Sequence, residues 1–522
     1  MGKRDWNPPI ELIPREERIY ERAKNKKLFQ FLRRQRHRLF DEAFRAQLGS
    51  MYSAQERGKA RVDPALLAMV TLLQAARGVS DRDAVELAMD SRRWQMVLGH
   101  WDEDRAPFSQ GTLFNFRERL IRHDMDRVLL ERTVQLAHDL GGFSDKHLKV
   151  AFDASPLFGA GRVEDTFNLI GRAAWRVVRT AAEKLGRPPE EVAEEAGITV
   201  LTHASVKRGL DRDWTVPGAR SEAITELLAQ VRSLESWLRQ ELELDKPPLK
   251  DEWDLVEALI EQDTEPDPDG PGHRIRRGVA KNRKVSVGDL DMRHGRKSKS
   301  SRFDGYKRHV AVNLDSKAIC AAAVTRGNAS EREASGDLLD DLDRLPGTVS
   351  ELYTDRGYLG AAPIEVRRKR GEVIHLCKPF PLRNRGRYTR ADFNVDLNVG
   401  TMTCPNGVTR PCRLGKPTRF PAAACDICPV RTNCTTARLG RGRSVSVHPD
   451  EPFLIECRER LKTPEGRDIL RRRVASEHAL AAVERTQTKR SRYKGVRKVL
   501  FDVRRHSAVQ NLFLAARLER AA

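Results

Sequence analysis

Apolar positions along the chain follow two rhythms. Over the first 140 residues they recur at three- and four-residue steps, as at Leu66, Leu67, Val70, Leu73 and Leu87, and this spacing predicts helices. Asp63 followed by Pro64 supplies an N-cap and first-turn pair for one of them. GVSDRDAVELAMDS (78–91) and FSQGTLFNFRERL (108–120) read as turns leading into further helices. Short helices joined this way, with Arg117 and Arg119 on the last, suit a helix-turn-helix DNA reader or a purely structural helical domain. From Leu148 the rhythm is that of strands. HLKVAFDAS is the first, and GYKRHVAVNL (305–314) with KAICAAAVTRG (317–327) makes a hairpin around Asp315 and Ser316. SEREASGDLLDDLDRL (330–345) is a helix capped by Ser330, and ELYTDRGYL (351–359) is a strand running into a turn. PIEVRRKRG is a basic helix, VIHLCKPF (373–380) another strand, and the chain from Thr463 onward is predicted helical.

Two segments interrupt this series. Residues 161–284 form a helical insert, including SEAITELLAQVRSLESWLRQELEL (221–244) and closed by the Pro- and Asp-rich linker TEPDPDGPG (264–272). Residues 401–450 form a cysteine-rich insert. The predicted organisation is thus a helical N-terminal domain (1–140), a core split between 145–160 and 285–400, the two inserts, and C-terminal helices (451–522) completing the core. Without the inserts the order is three strands, helix, strand, helix, strand and two helices. That is a ribonuclease H-like α/β topology, a mixed sheet flanked by helices.

Charge narrows the choice of partner. Lys and Arg total 95 against 74 Asp and Glu, a formal charge of +21, and they cluster at 33–38, 293–297, 367–370 and 438–443. A polyanion accounts for such an excess, because cations that neutralise phosphates release counterions; a merely soluble basic surface is the plainer alternative. No run approaches the roughly 18 apolar residues of a membrane span and the N-terminus has no apolar signal core, so a soluble, intracellular protein without a membrane partner is expected.

Three acids stand out by position. Asp153 interrupts the apolar strand in KVAFDASPLFGAG, Asp355 ends the strand in ELYTDRGYL, and Glu477 lies on a helix where Leu470, Val474, Glu477, Ala481 and Glu484 form one stripe. Singly, Asp153 could cap a turn, Asp355 could pair with Arg356 and Glu477 with Arg473. Together, on a sheet and a helix facing it, they call for a cation. Hard Mg²⁺ or Mn²⁺ takes oxygen ligands, and two such ions activate one oxygen of a phosphodiester exchange while stabilising the other.

Cys404, Cys425, Cys428 and Cys434, with Cys412 as a spare, crowd into one stretch and suffice for one structural Zn²⁺; a redox CxxC pair or metal-free packing are the alternatives. DMRHGRKSKSSRFDGYKRH (291–309) mixes cations with Phe303 and Tyr306 as a strand tracking a phosphate backbone would, or as a solvated loop would. Arg293, Arg296, Lys297 and Lys307 are its candidate phosphate contacts.

The segments DPALLAMVTLLQAARGVSDRDAVE, PFSQGTLFNFRERL, AFDASPLFGAG, RFDGYKRHV, YTDRGY and RYKGVRKVLFDVRRHSAVQNLFLA span most of the chain. Through them the sequence resembles the DDE transposases of bacterial insertion sequences, in the group with a helical N-terminal domain and a cysteine-rich, zinc-ribbon-like insert. The resemblance implies that Asp153, Asp355 and Glu477 are the three acids holding two Mg²⁺ (or Mn²⁺) ions, and that Arg473 contacts phosphate beside the scissile bond. Leu470 and Glu484 stand where the family carries Tyr and Lys, and Glu484 is the alternative third acid. It further implies metal-dependent cleavage at element ends and strand transfer into target DNA. The partners would be the terminal inverted repeats and target duplex, and the enzyme a homodimer on DNA, cytoplasmic and nucleoid-associated. An inactive DNA-binding regulator, or a nuclease on the same fold that cuts without joining, are the alternatives.

Overall fold

The computed structural model describes residues 6–23, 27–52, 61–101, 105–143, 146–298 and 300–521. At its centre is a mixed sheet of β1 (His147–Phe158), β2 (Arg293–Arg296), β3 (Arg302–Asn313), β4 (Ile319–Arg326), β5 (Thr348–Thr354) and β6 (Ile374–Cys377). Its order is β2-β3-β1-β5-β6, with β4 also paired to β3. β3 runs antiparallel to β1, β2 and β4, whereas β5 runs parallel to β1 and β6 parallel to β5. The expected hairpin and strand-to-turn elements are present, and the mixed sheet behind a helical N-terminal region is consistent with a ribonuclease H-like domain. β3 and β4 are buried almost throughout, as strands covered on both faces must be. The run of Ala321, Ala322 and Ala323 lets the long Val496–Ala521 helix lie close on β4.

The helices before the sheet are not walled off from it. One apolar core runs from Phe31, Leu67 and Val70 through Leu129 and Val134 to Phe152, Tyr306, Ala322 and Leu512. Its seam is the Met125–Gly141 helix packed along Val496–Ala521, so the two ends of the chain close on each other. Residues of the helical insert instead build a second core around Ile170, Val177, Leu227, Val231 and Val256. The linker expected at 264–272 is a hairpin there. Thr264–Pro266 pairs with His273–Ile275, and the His273 amide donates to Thr225 Oγ1 at 2.9 Å. The cysteine-rich stretch has a small core too, of Phe393, Met402, Phe420, Val445 and Val447.

The C-terminal stretch departs from its predicted pattern. It breaks into Pro464–Arg471, Val474–Gln487 and Val496–Ala521, and the break at 472–473 shifts the helical phase. Leu470 is buried on the earlier helix, but the buried face of Val474–Gln487 is Ser476, Leu480, Val483 and Gln487. Val474 and the Glu477 side chain, 41% and 50% exposed, lie outside it. The expected apolar stripe through Glu477 is therefore not there. Cys377 and Cys457, scattered in sequence, approach within 3.8 Å between β6 and the Glu451–Lys462 helix. No helix among the described residues is long and apolar enough to cross a membrane.

Candidate active site

β1 and β5 run parallel with Ala151 opposite Tyr353, so two residues further along each strand Asp153 and Asp355 come level. Adjacent strands lie about 5 Å apart, so the two acids share one edge of the sheet's end. Asp355 leaves β5 and caps a short helical turn, accepting from the Gly357 amide at 2.7 Å. Asp153 stays in the ladder opposite Val310, and its carboxylate accepts from the Ala154 amide at 2.9 Å.

Electrostatics at this end of the sheet are strained. Burial pushes the Asp153 carboxyl up to about 6; Arg473 and the Ala154 amide pull it down, while the charges of Asp355 and Glu477 push it further up. Arg473 stands between two of the acids. Its Nη1 is 3.3 Å from Asp153 Oδ1 and its Nη2 hydrogen-bonds Glu477. Glu484 is committed away from them, pairing at 2.9 Å with Arg308, whose side chain is fully buried, and at 3.8 Å with Lys489. Among the described residues, no three His, Cys, Asp or Glu side chains stand together in an arrangement that could hold a metal ion. Of the three predicted acids, Asp153 and Glu477 both contact Arg473, and Asp355 lies near Asp153 at the end of the adjacent strand.

Several residues that shape this site escaped the sequence reading. Glu331, on the turn after β4, reaches Asp355; burial first, and the Asp355 charge second, push it up to about 7. It comes so close that a Cβ on Gly357 would lie 1.8 Å from its Oε2, so a larger residue in the TDRGY turn would displace the Glu331 carboxylate. Below the acids, Tyr358 bonds His309 Nδ1 and His309 Nε2 bonds Thr325, each at 2.9 Å, and burial drives the histidine down to about 3, so this floor is neutral. Arg308 fastens the Glu477 helix to the sheet, donating to Ser155 Oγ on β1, to Gln487 Oε1 and to Glu484. The signal for Arg308 was alternation along β3: with Lys307 on one face, Arg308 must lie on the other, against the helix.

The candidate DNA contacts divide. Arg293 is buried, and its guanidinium donates to Asn282 and to the carbonyls of Leu290 and Met292, so it is a structural arginine and not a phosphate contact. Lys307 donates to the Ala329 carbonyl and borders Glu331. Arg296 and Lys297 remain exposed. Arg117, expected on a reading helix, is buried in a two-pronged pair with Asp81, and Arg119 lies over the Tyr52 ring. Cys404, Cys425, Cys428 and Cys434 line one cavity of about 30 Å³ with Phe393, Val408 and Arg443, whose amide points at Cys425 Sγ from 3.5 Å. Cys412 lies outside it.

A mixed sheet with carboxylates at the ends of neighbouring strands, beside a further acid on a helix and the arginine that caps it, is a candidate site for chemistry on phosphodiesters. Three family models match the chain: a Transposase domain (DUF772) over residues 17–119, and two models each described as Transposase DDE domain, over 272–394 and 403–513. The chain belongs to the DDE transposases, enzymes that cleave DNA and transfer its strands. Family members generally use divalent cations such as Mg²⁺. No curated protein and no solved structure matches it.

Proposed function

We propose that this transposase cuts at the ends of its own element and joins the freed 3′-hydroxyl to target duplex, with Asp153, Asp355 and Glu477 as its acidic triad. The observation that carries the reading is the sharing of Arg473 by Asp153 and Glu477, next to Asp355 on the adjacent strand. Glu484 is set aside as third acid because it neutralises the buried Arg308.

The donor set suits a hard divalent ion: the acids offer only oxygens, and a carboxyl raised by burial, and further by its like-charged neighbours, is relieved by a cation. Asp153, Asp355 and Glu477 would hold two Mg²⁺ or Mn²⁺ ions, which when bound supply a lowered water pKa and stabilise charge on the leaving oxygen. The chain's own residues do the remainder. Glu331 orients Asp355, Arg308 holds the Glu477 helix on the sheet, and the Tyr358–His309 floor keeps the cluster from closing inward. Arg473, released from its acids, offers a planar two-pronged donor to the phosphate. Arg296 and Lys297 supply exposed charge for the DNA backbone on the same side of the molecule as β2.

We further infer that Cys404, Cys425, Cys428 and Cys434 would draw together on one structural Zn²⁺: all four line one cavity and a backbone amide faces one of their sulfurs, although they do not stand as a formed metal site. Paired cutting of two ends makes a homodimer on DNA the expected assembly.

The test is an incubation of the purified chain with labelled duplexes from both element ends, Mg²⁺ or Mn²⁺, and a target plasmid. Joined products are expected from wild type, and none from Asp153→Asn although it still binds the ends. Cleavage without joining would turn the reading to a nuclease. Binding without either reaction would sink the assignment of the acids.

A further inference from the structure

Between the Lys27–Leu39, Pro64–Arg77, Val474–Gln487 and Val496–Ala521 helices lies a groove of about 600 Å³. Four exposed cations rim it, Lys27, Arg77, Arg485 and Arg517, over an apolar floor that includes Phe29 and the 37% exposed Phe513. No acid lines it. Of the acids beside these cations in sequence, Glu484 pairs with Arg308 and Lys489, Glu519 with Arg34 and Asp81 with Arg117. Arg77 and Arg485 lie in the last turns of their helices, where the helix dipole favours a cation, but Lys27 and Arg517 lie outside the last turns of theirs. Helix chemistry therefore does not explain the set. Four converging cations without a counter-charge suit a polyanion.

The groove's position says which one. Arg485 follows Glu477 by eight residues on the same helix, about 12 Å along its axis, which is three to four base steps of a strand. We propose that this groove grips the DNA backbone three to four nucleotides from the scissile phosphate, so that N-terminal helices and the Glu477 helix clamp one stretch of DNA together. This rests on the assignment of Glu477 above.

The test measures binding of a fluorescein-labelled duplex of random sequence by the full chain across a NaCl series. Each phosphate contact contributes about 0.9 to the slope of log K against log salt. The combined variant Arg77→Ala, Arg485→Ala, Arg517→Ala should lower that slope by about 2 to 3, and Lys27→Ala alone by about 1. All four side chains are exposed, and thermal melting is used to check that each variant is folded. With element-end duplexes, wild type should bind one ending six base pairs beyond the cut more tightly than one ending two beyond it, and the combined variant should not discriminate. Folded variants with wild-type slopes, or equal discrimination, overturn the proposal, as does a groove that proves to be filled by an acidic peptide segment with DNA affinity unchanged. Failure of wild type to cut would instead strike the active-site reading, because the slope reports binding alone.

Discussion

Two acid clusters in this molecule are built from the same residue types and differ in how their charge is balanced. At the junction of the Met125–Gly141, Ser335–Leu342 and Val496–Ala521 helices, Asp124, Asp126 and Asp341 meet Arg127, Arg497 and Arg504. Burial opposes ionisation of Asp124, yet Arg504 and Arg127 hold its carboxyl below the usual range; burial raises Asp341 against the pull of Arg504, and Arg504 is itself held more firmly charged. At the end of the sheet, Asp153, Asp355, Glu331 and Glu477 have one guanidinium, that of Arg473, directly among them, and Asp153 and Glu331 are pushed up. A cluster whose charges cancel within the chain is structural. A cluster with fewer cations than acids leaves room for a cation from outside.

The sharpest break of this comparison is Asp153→Asn. Loss of a carboxylate that holds the cation is expected to lower cleavage and joining by at least about 10³-fold, some 4 kcal/mol of barrier. The fold should not suffer. A carboxyl raised above its unfolded value stabilises the fold at low pH and loses that contribution as pH rises through about 6, so at pH 8 the variant should melt no lower than wild type. A marked drop in melting temperature would make Asp153 a structural acid like Asp126.

Arg504→Ala should do the reverse. It leaves Asp126 and Asp341 buried without their shared partner, which is expected to destabilise the chain by about 3 to 5 kcal/mol in urea unfolding. A loss under about 1 kcal/mol would mean that Arg497 and Arg127 already balance these acids without Arg504. Mn²⁺ offers a third handle. At a hundredfold excess over its dissociation constant it should stabilise wild type by about 2.7 kcal/mol and Asp153→Asn by far less. Equal stabilisation of both would place the ion elsewhere.

How much of this could be read in the sequence follows from what each signal depends on. Asp153 was legible because a carboxylate in an apolar strand is anomalous wherever the strand lies, and Asp355 because TDRGY ends one. The hairpin of β3 and β4 was legible because its pattern is local. The stripe through Glu477 failed because a break at 472–473 resets the helical phase without a Gly or Pro to announce it. Arg293 misled because a basic run does not say which of its cations turns inward to backbone carbonyls. The shared core of the chain's two ends was hidden for the same reason: contact between Met125–Gly141 and Val496–Ala521 is set by tertiary packing across more than 350 residues of sequence.

Glu331 is the finest test, because nothing in its local sequence separates it from an ordinary first-turn acid of a capped helix. Its neighbour Glu333 does play that ordinary part, accepting from the Ser330 amide at 2.8 Å. Glu331 instead reaches across to Asp355, against Gly357. If it orients the second acid, the length and hydrogen-bonding capacity of its side chain should count for more than its charge. Glu331→Gln keeps both and should leave Mn²⁺ affinity, read by calorimetry on the DNA-free chain, within about 3-fold of wild type. Glu331→Ala keeps neither and should weaken it about 10- to 100-fold, the range for residues that position metal ligands. Equal, large losses in both variants would show that the carboxylate itself is needed, and Glu331 would then join the three acids as a fourth ligand.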